Sequence, residues 1–163
     1  MSLALLSSFR SKDAKSPNGA CIVDTKRRIV GIGYNGLPRG LDDQLPEYWK
    51  DEDDEDIERS KHTYVVHAEK NAIYNSISYD LDGASIYITQ FPCNTCAQAI
   101  IQVGISRVVY LFRKPDRDKH AKINRAVMHM FEEAGVEVVA FSSLGLHDAD
   151  FLDRLLEQKQ YYD

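Results

Sequence analysis

The stretch from Phe91 to Ile100, "FPCNTCAQAI", places two cysteines at helical spacing directly behind a proline. What such a pair does depends on what the rest of the chain brings to it. The chain has three cysteines in all, Cys21, Cys93 and Cys96, and an odd set with one close pair is a poor disulfide framework. No charged-then-apolar signal segment opens the sequence, and no apolar run is long enough to span a bilayer. The expected setting is therefore cytoplasmic and reducing, where Cys-x-x-Cys binds metal or does redox chemistry.

One domain is the expectation for 163 residues, spanning 1–163 with a helix over 148–160 at its end. A formal net charge of -5 speaks against a general nucleic-acid binder, which shows a basic excess. It leaves room for a small anionic substrate, because a pocket can be locally basic on an acidic protein.

Along the chain, "LALLSSF" has helical character, and "ACIVD" and "RIVGIGY" read as two strands joined by a charged turn. "NGLPRGLDDQLP" is a turn-rich loop. The charge run "EYWKDEDDEDIERSKH" reads as a solvated loop or an exposed helix. "VVHAEKNAIYNSI" turns helical, with Ala68, Ala72 and Ile73 at core spacing. "ASIYITQF" and "RVVYLF" are strands, the second apolar enough to lie inside a sheet. "CNTCAQAIIQVG" is a helix that Gly104 can end. A basic loop, "RKPDRDKH", leads to the helix "AKINRAVMHMFEEAG" and the strand "VEVVAF". In the tail, Phe151, Leu152, Leu155 and Leu156 share one face of an amphipathic helix. Strands alternating with helices imply an α/β layered domain, a hairpin first and parallel strands later.

Cysteines at i and i+3 in a first helical turn share a face, so one ion can reach both sulfurs. The helix N-terminus favours the thiolate that binds metal. Spacing alone leaves a redox dithiol open. The balance tips at "VVHAEKNAI": His67 can supply a third ligand, and sulfur with imidazole suits zinc. Three protein ligands leave a fourth position for water, the arrangement of catalytic zinc. Glu69 does not stack beside His67 on a helix, which suits it to move a proton between that water and a leaving nitrogen rather than to bind metal. His67-x-Glu69 with Pro92-Cys93-x-x-Cys96 spells the zinc nucleobase-deaminase signature. A core histidine meeting a structural cysteine pair by chance is the bland alternative. His62, His120 and His147 read as loop positions, His129 as a helix-face residue, and Cys21 as a small core residue.

With these motifs the chain resembles the deoxycytidylate (dCMP) deaminases of the cytidine deaminase-like superfamily, from about Leu5 to Phe141. The carriers are "RSKD", "GACIVD", "GIGYNGLPRGLDD", "YVVHAEKNAI", "ITQFPCNTCAQAIIQVGI" and "VVYL". The resemblance implies a three-layer α/β/α fold with a mixed five-stranded sheet, and hydrolysis of dCMP to dUMP and ammonia for thymidylate synthesis. It implies His67, Cys93 and Cys96 as Zn2+ ligands and Glu69 as the proton shuttle. Asn35 matches the residue that contacts the deoxyribose, and the Ala68 backbone would face the cytosine amino end. A homo-oligomer, a hexamer by preference, is implied as well.

Two stretches depart from the family pattern. Pro17-Asn18 stands where a β-branched residue before Gly-Ala is usual, and "YLFRKPDRDKHAKINRA" is longer and more basic than the usual loop. For the phosphate, Lys15, Arg113 and Lys114 are the available cations, the last two beyond a strand's carboxyl end, where ligands gather in open α/β sheets. Each could equally be a solvated surface charge.

Many relatives are switched on by dCTP and off by dTTP, bound with Mg2+. The matching segment here is "GYNGLPRGLDD", where Arg39 can pair with phosphate and Asp42 and Asp43 offer hard oxygens. A plain surface loop is the alternative. The rival activities are deamination of free cytidine or deoxycytidine, deamination of tRNA adenosine, and a non-catalytic zinc-stabilised role. The acidic charge weighs against tRNA, and Glu69 against a purely structural site.

Overall fold

The computed structural model describes residues 1–50, 57–114 and 118–144, with Arg154 and Glu157 beyond them. The elements run α1 (Ser2–Ser8), β1 (Gly19–Val23), β2 (Ile29–Tyr34), α2 (Lys61–Tyr64), α3 (Ala68–Tyr74), β3 (Ser85–Gln90), α4 (Asn94–Gln102), β4 (Arg107–Phe112), α5 (Asp118–Glu133) and β5 (Glu137–Ala140). They form a five-stranded mixed sheet in the order β2-β1-β3-β4-β5. β1 is antiparallel to both neighbours, and β3, β4 and β5 are parallel. The hairpin-then-parallel expectation holds because β3-α4-β4 and β4-α5-β5 each cross over through a helix, as parallel pairing requires.

Side chains alternate across the pleat, so Ala20, Ile22, Ile86, Ile88 and Val108 share one face. Ala68 and Ala72 of α3, Ala97 and Ile100 of α4, and Val127 and Phe131 of α5 close that core. On the opposite face lies α1, whose Leu5 packs with Phe9, Leu111 and Phe141. Helices on both faces make the three layers.

Two glycines set how closely α3 approaches the sheet. A Cβ on Gly33 would collide with the Ala72 nitrogen and the Ala68 carbonyl oxygen, and one on Gly31 with the Ala72 carbonyl oxygen. Asn71 Nδ2 donates to the Tyr34 carbonyl at 2.8 Å and pins the helix at that depth. At the end of α4 the chain turns at Gly104, with φ of +79°, the left-handed conformation that stops a helix there.

Three sequence readings change. His62 lies in α2 and His120 in α5, not in loops. Lys61, at the end of the charge run, is buried rather than solvated. α5 begins at Asp118, so the last residues of the basic stretch are helical. The acidic residues 51–56, His147 and most of the helix expected over 148–160 lie outside the described residues, although Arg154 and Glu157 are themselves helical.

Gly33→Ala is expected to lower stability by about 1–3 kcal/mol, because the backbone of α3 would have to retreat from β2. Denaturant unfolding measures it, and an unchanged midpoint would show that α3 has room to move.

Candidate metal centre and catalytic cavity

α3 and α4 both begin at the carboxyl-end edge of the sheet, and their starting residues meet. His67 is the residue before α3 and Cys93 the residue before α4, each with extended backbone, while Cys96 sits one turn into α4. His67 Nδ1 lies 3.4 Å from Cys93 Sγ and 3.4 Å from Cys96 Sγ. The three donor atoms all fall within 4.8 Å of one another. A tetrahedral zinc with ordinary Zn–N and Zn–S bonds holds such ligands about 3.6 Å apart, so the spacing fits.

The chemistry of the donor set agrees with the spacing. The two sulfurs are coupled, so ionising one opposes ionising the other. A hydrogen bond from Cys96, joined by His67 and Thr95, draws the Cys93 thiol down to about 3. That same bond, with burial, pushes Cys96 upward. The thiolate beside it raises His67. Two sulfurs that cannot both ionise alone are what a soft divalent ion resolves. Cys21 is buried in β1 and stays apart from the group, a small core residue as expected.

Glu69 stands in the first turn of α3, 7% exposed. Burial raises its proton affinity above that of an ordinary carboxyl. A carboxyl moved toward neutral can both accept and return a proton at working pH.

His67, Glu69 and Cys93 line one cavity of about 420 Å³. Asn35, Ala68, Lys15 and Lys114 line it too, so the substrate contacts expected from the sequence converge there. Its walls come from the amino end of β1 and the segments following β3 and β4. The departure at Asn18 becomes part of the floor: its backbone nitrogen donates to Asn35 Oδ1 at 2.7 Å, and Thr89 Oγ1 donates to its Oδ1 at 3.0 Å.

Asp13, Lys61 and Asn124 are wall residues that sequence reasoning missed. Asp13 belongs to the "RSKD" stretch, but only its depth separates it from an ordinary surface acid. Arg113 stacks over Phe91 at 5.0 Å and is not among the cavity residues.

Arg39 and Asp43 line a second cavity, of about 610 Å³. Asp42 does not join them; its Oδ1 accepts from the Gln44 backbone instead. Asp43 pairs with Lys12 at 3.0 Å. Asn35 lines both cavities.

Comparison with known proteins agrees with this geometry. The family model described as "Cytidine and deoxycytidylate deaminase zinc-binding region" matches residues 1–112. The chain belongs to that family. Deoxycytidylate deaminase of Mus musculus is 45% identical over 143 residues, 87% of this chain and 77% of that protein. The Homo sapiens enzyme of the same name is 46% identical over 131 residues, covering 80% and 72%. Among solved structures, dCMP deaminase from the cyanophage S-TIM5 in complex with dCMP and dUMP aligns with a TM-score of 0.64 and 26% identity, over 85% of this chain and 90% of that one. The zinc-binding family and the His/Cys/Cys cluster together support Zn2+ as the ion.

The sulfur chemistry yields a pH prediction. Stripped of metal, the protein should be alkylated at Cys93 near pH 5, because a thiol drawn down to about 3 is thiolate throughout that range. Cys96 and the buried Cys21, both pushed upward, should not react there. Zinc should protect Cys93. Mass spectrometry of the modified peptides reads the result, and uniform labelling of all three would refute the assignment.

Proposed function

We propose that this deaminase-family chain hydrolyses dCMP to dUMP and ammonia, supplying deoxyuridylate for thymidylate synthesis. The observation that carries the reading is that a buried carboxyl, Glu69, and the His67 and Cys93 members of the His67/Cys93/Cys96 cluster line one cavity with Lys15 and Lys114. The substrate class is that named for the relatives.

His67, Cys93 and Cys96 would hold zinc, which supplies Lewis-acid activation of water when bound. Glu69 accepts one proton from the attacking water and passes it to the ring nitrogen, then takes the second from the hydroxyl so formed on the ring carbon and passes it to the amino nitrogen, which leaves as ammonia. Its burial keeps that proton from exchanging freely with solvent. The Ala68 backbone, between ligand and acid, faces the reacting end of the base. Asn35 meets the deoxyribose, and Lys15 and Lys114 the phosphate, where an anion gains charge-assisted bonds that a nucleoside lacks.

The test is turnover of dCMP, deoxycytidine, CMP and dCTP, followed by ammonia release. dCMP should be preferred over deoxycytidine, and Glu69→Gln should keep its zinc while losing about a thousandfold or more in kcat. Equal efficiency on nucleoside and nucleotide would favour the free-nucleoside activity. Near-normal turnover in zinc-loaded Glu69→Gln would remove Glu69 from the chemistry.

The second cavity extends the reading to regulation by dCTP or dTTP with Mg2+. Arg39 is positioned for phosphate and Asp43 for the cation; Asp42 would have to release the Gln44 backbone to join them. Asn35, in both walls, offers the link between effector and substrate. Such coupling is typically worth about 1–3 kcal/mol. A dCMP saturation curve should change from sigmoid to hyperbolic on adding dCTP with Mg2+, and Arg39→Ala should lose that response. Curves indifferent to dCTP and dTTP would leave an unregulated enzyme.

One domain in a homo-oligomer, a hexamer by preference, completes the reading. Leu3 and Leu6 on α1 and Ile29 and Ile32 on the edge strand β2 leave apolar surface for a second copy. Among the described residues no helix is long and apolar enough to cross a membrane, and we place the protein in the cytoplasm.

A further inference from the structure

The wall of the first cavity contains a buried ion pair that the chemistry above does not use. Lys61 Nζ, on a side chain 4% exposed, lies 2.8 Å from Asp13 Oδ1 and 3.0 Å from Asp13 Oδ2. A buried pair of this kind costs heavily in desolvation and is weak as a source of stability. Its remaining bonds show what it does.

Asp13 is a node. Its Oδ1 accepts from the backbone nitrogens of Lys15 at 3.2 Å and Ser16 at 3.1 Å, and its Oδ2 accepts from Asn35 Nδ2 at 3.3 Å. Asn35 Nδ2 also donates to the Ser16 carbonyl at 3.0 Å, while Asn35 Oδ1 accepts from the Asn18 backbone nitrogen at 2.7 Å. The orientation of this amide is fixed without ambiguity. A carboxylate and a carbonyl can only accept, so the nitrogen must face them, and a backbone N–H can only donate, so the oxygen must face it.

Counting capacity then gives a chemical result. Both hydrogens of the Asn35 amide are occupied, and its oxygen has used one of two lone pairs. Toward a ligand in the cavity, Asn35 can act only as an acceptor. It can bond a group that donates, such as a sugar hydroxyl, and can offer nothing to one that only accepts.

We propose that the buried Asp13–Lys61 pair is a positioning device that locks the Asn35 amide as an acceptor, so that the cavity selects a substrate by a donated sugar hydroxyl. The inference rests on the proposed deamination of dCMP. Asp13 and Lys61 act through Asn35. Paired with the Lys61 ammonium, the Asp13 carboxylate presents only acceptors to Asn35. An amide at position 13 could present a donor instead, and a reversed Asn35 would no longer be forbidden on that side.

The experiment compares kcat/KM for dCMP, 2′,3′-dideoxycytidine monophosphate and deoxycytidine, in the wild type and in the double variant Asp13→Asn with Lys61→Met. Removing both charges avoids stranding one of them. The wild type should favour dCMP over the dideoxy analogue by about a hundredfold or more, since a site built to bond a hydroxyl rejects the analogue lacking it. In the folded, zinc-loaded double variant that ratio should fall at least about tenfold, mainly through KM for dCMP. The ratio of dCMP to deoxycytidine should fall less than the hydroxyl ratio, because the Lys15 and Lys114 side chains remain and only the Lys15 backbone loses a bond to Asp13. Lys61→Arg, which keeps the charge, should retain most of the discrimination. If the double variant folds poorly, Asp13→Glu carries the comparison, since one extra methylene displaces the node; the same tenfold fall is expected. An unchanged hydroxyl ratio overturns the proposal. So does a fall in the phosphate ratio alone, which would make Lys61 a direct phosphate contact. A zinc-loaded wild type with no turnover of dCMP would sink the proposed activity, and the positioning role with it.

Discussion

The contact on which the site depends is the closeness of α3 to β2. Gly31 and Gly33 leave no side chain between the strand and the helix backbone, and Ala68 and Ala72 supply the small side chains on the other surface. At that depth His67 and Glu69 reach the edge of the sheet where β3 ends. A bulkier residue at either glycine would move the imidazole and the acid together, away from sulfurs that another helix holds. The ligand distances of 3.4 Å are therefore set by backbone packing some residues away.

The parallel half of the sheet supplies the counterpart. β3 must cross over to β4 through a helix, and that helix begins at the carboxyl end of the strand. Pro92 and Cys93 stand at this turn, with Cys93 extended and Cys96 one turn on. Two helix N-termini thus point at one place, where their free N–H groups and dipoles favour negative charge. Cys93 is held low by hydrogen bonds from Cys96, His67 and Thr95, that same Cys96 bond and burial push Cys96 upward, and burial raises Glu69. A divalent ion is the natural resolution of that coupling.

Around this centre the cavity is divided in purpose. The reacting end is apolar backbone, sulfur, imidazole and one acid. Its other walls form a polar lattice running from Lys61 through Asp13 to Asn35, Asn18 and Thr89. A half-satisfied network of this kind would cost more than an apolar wall, which is why the complete set of partners at Asn35 is informative. Asn35 also lines the second cavity.

The sequence by itself determined the order of the five strands along the chain and singled out the His67, Cys93 and Cys96 cluster and Glu69. These are local statements. Hydrophobic period distinguishes helix from strand, and the spacings of His67-x-Glu69 and Cys93-x-x-Cys96 carry their chemistry within a single turn. It also singled out Asn35, Ala68, Lys15 and Lys114, though only the fold gathers them around one space. Tertiary structure alone decided the rest. Lys61 ends a run of charges that reads as solvated, yet it is buried because Asp13, 48 positions away, waits for it. Asp42 and Asp43 are identical in composition and adjacent in sequence, yet only Asp43 faces the second cavity. Burial and direction are properties of contacts between distant segments, and no local pattern encodes them.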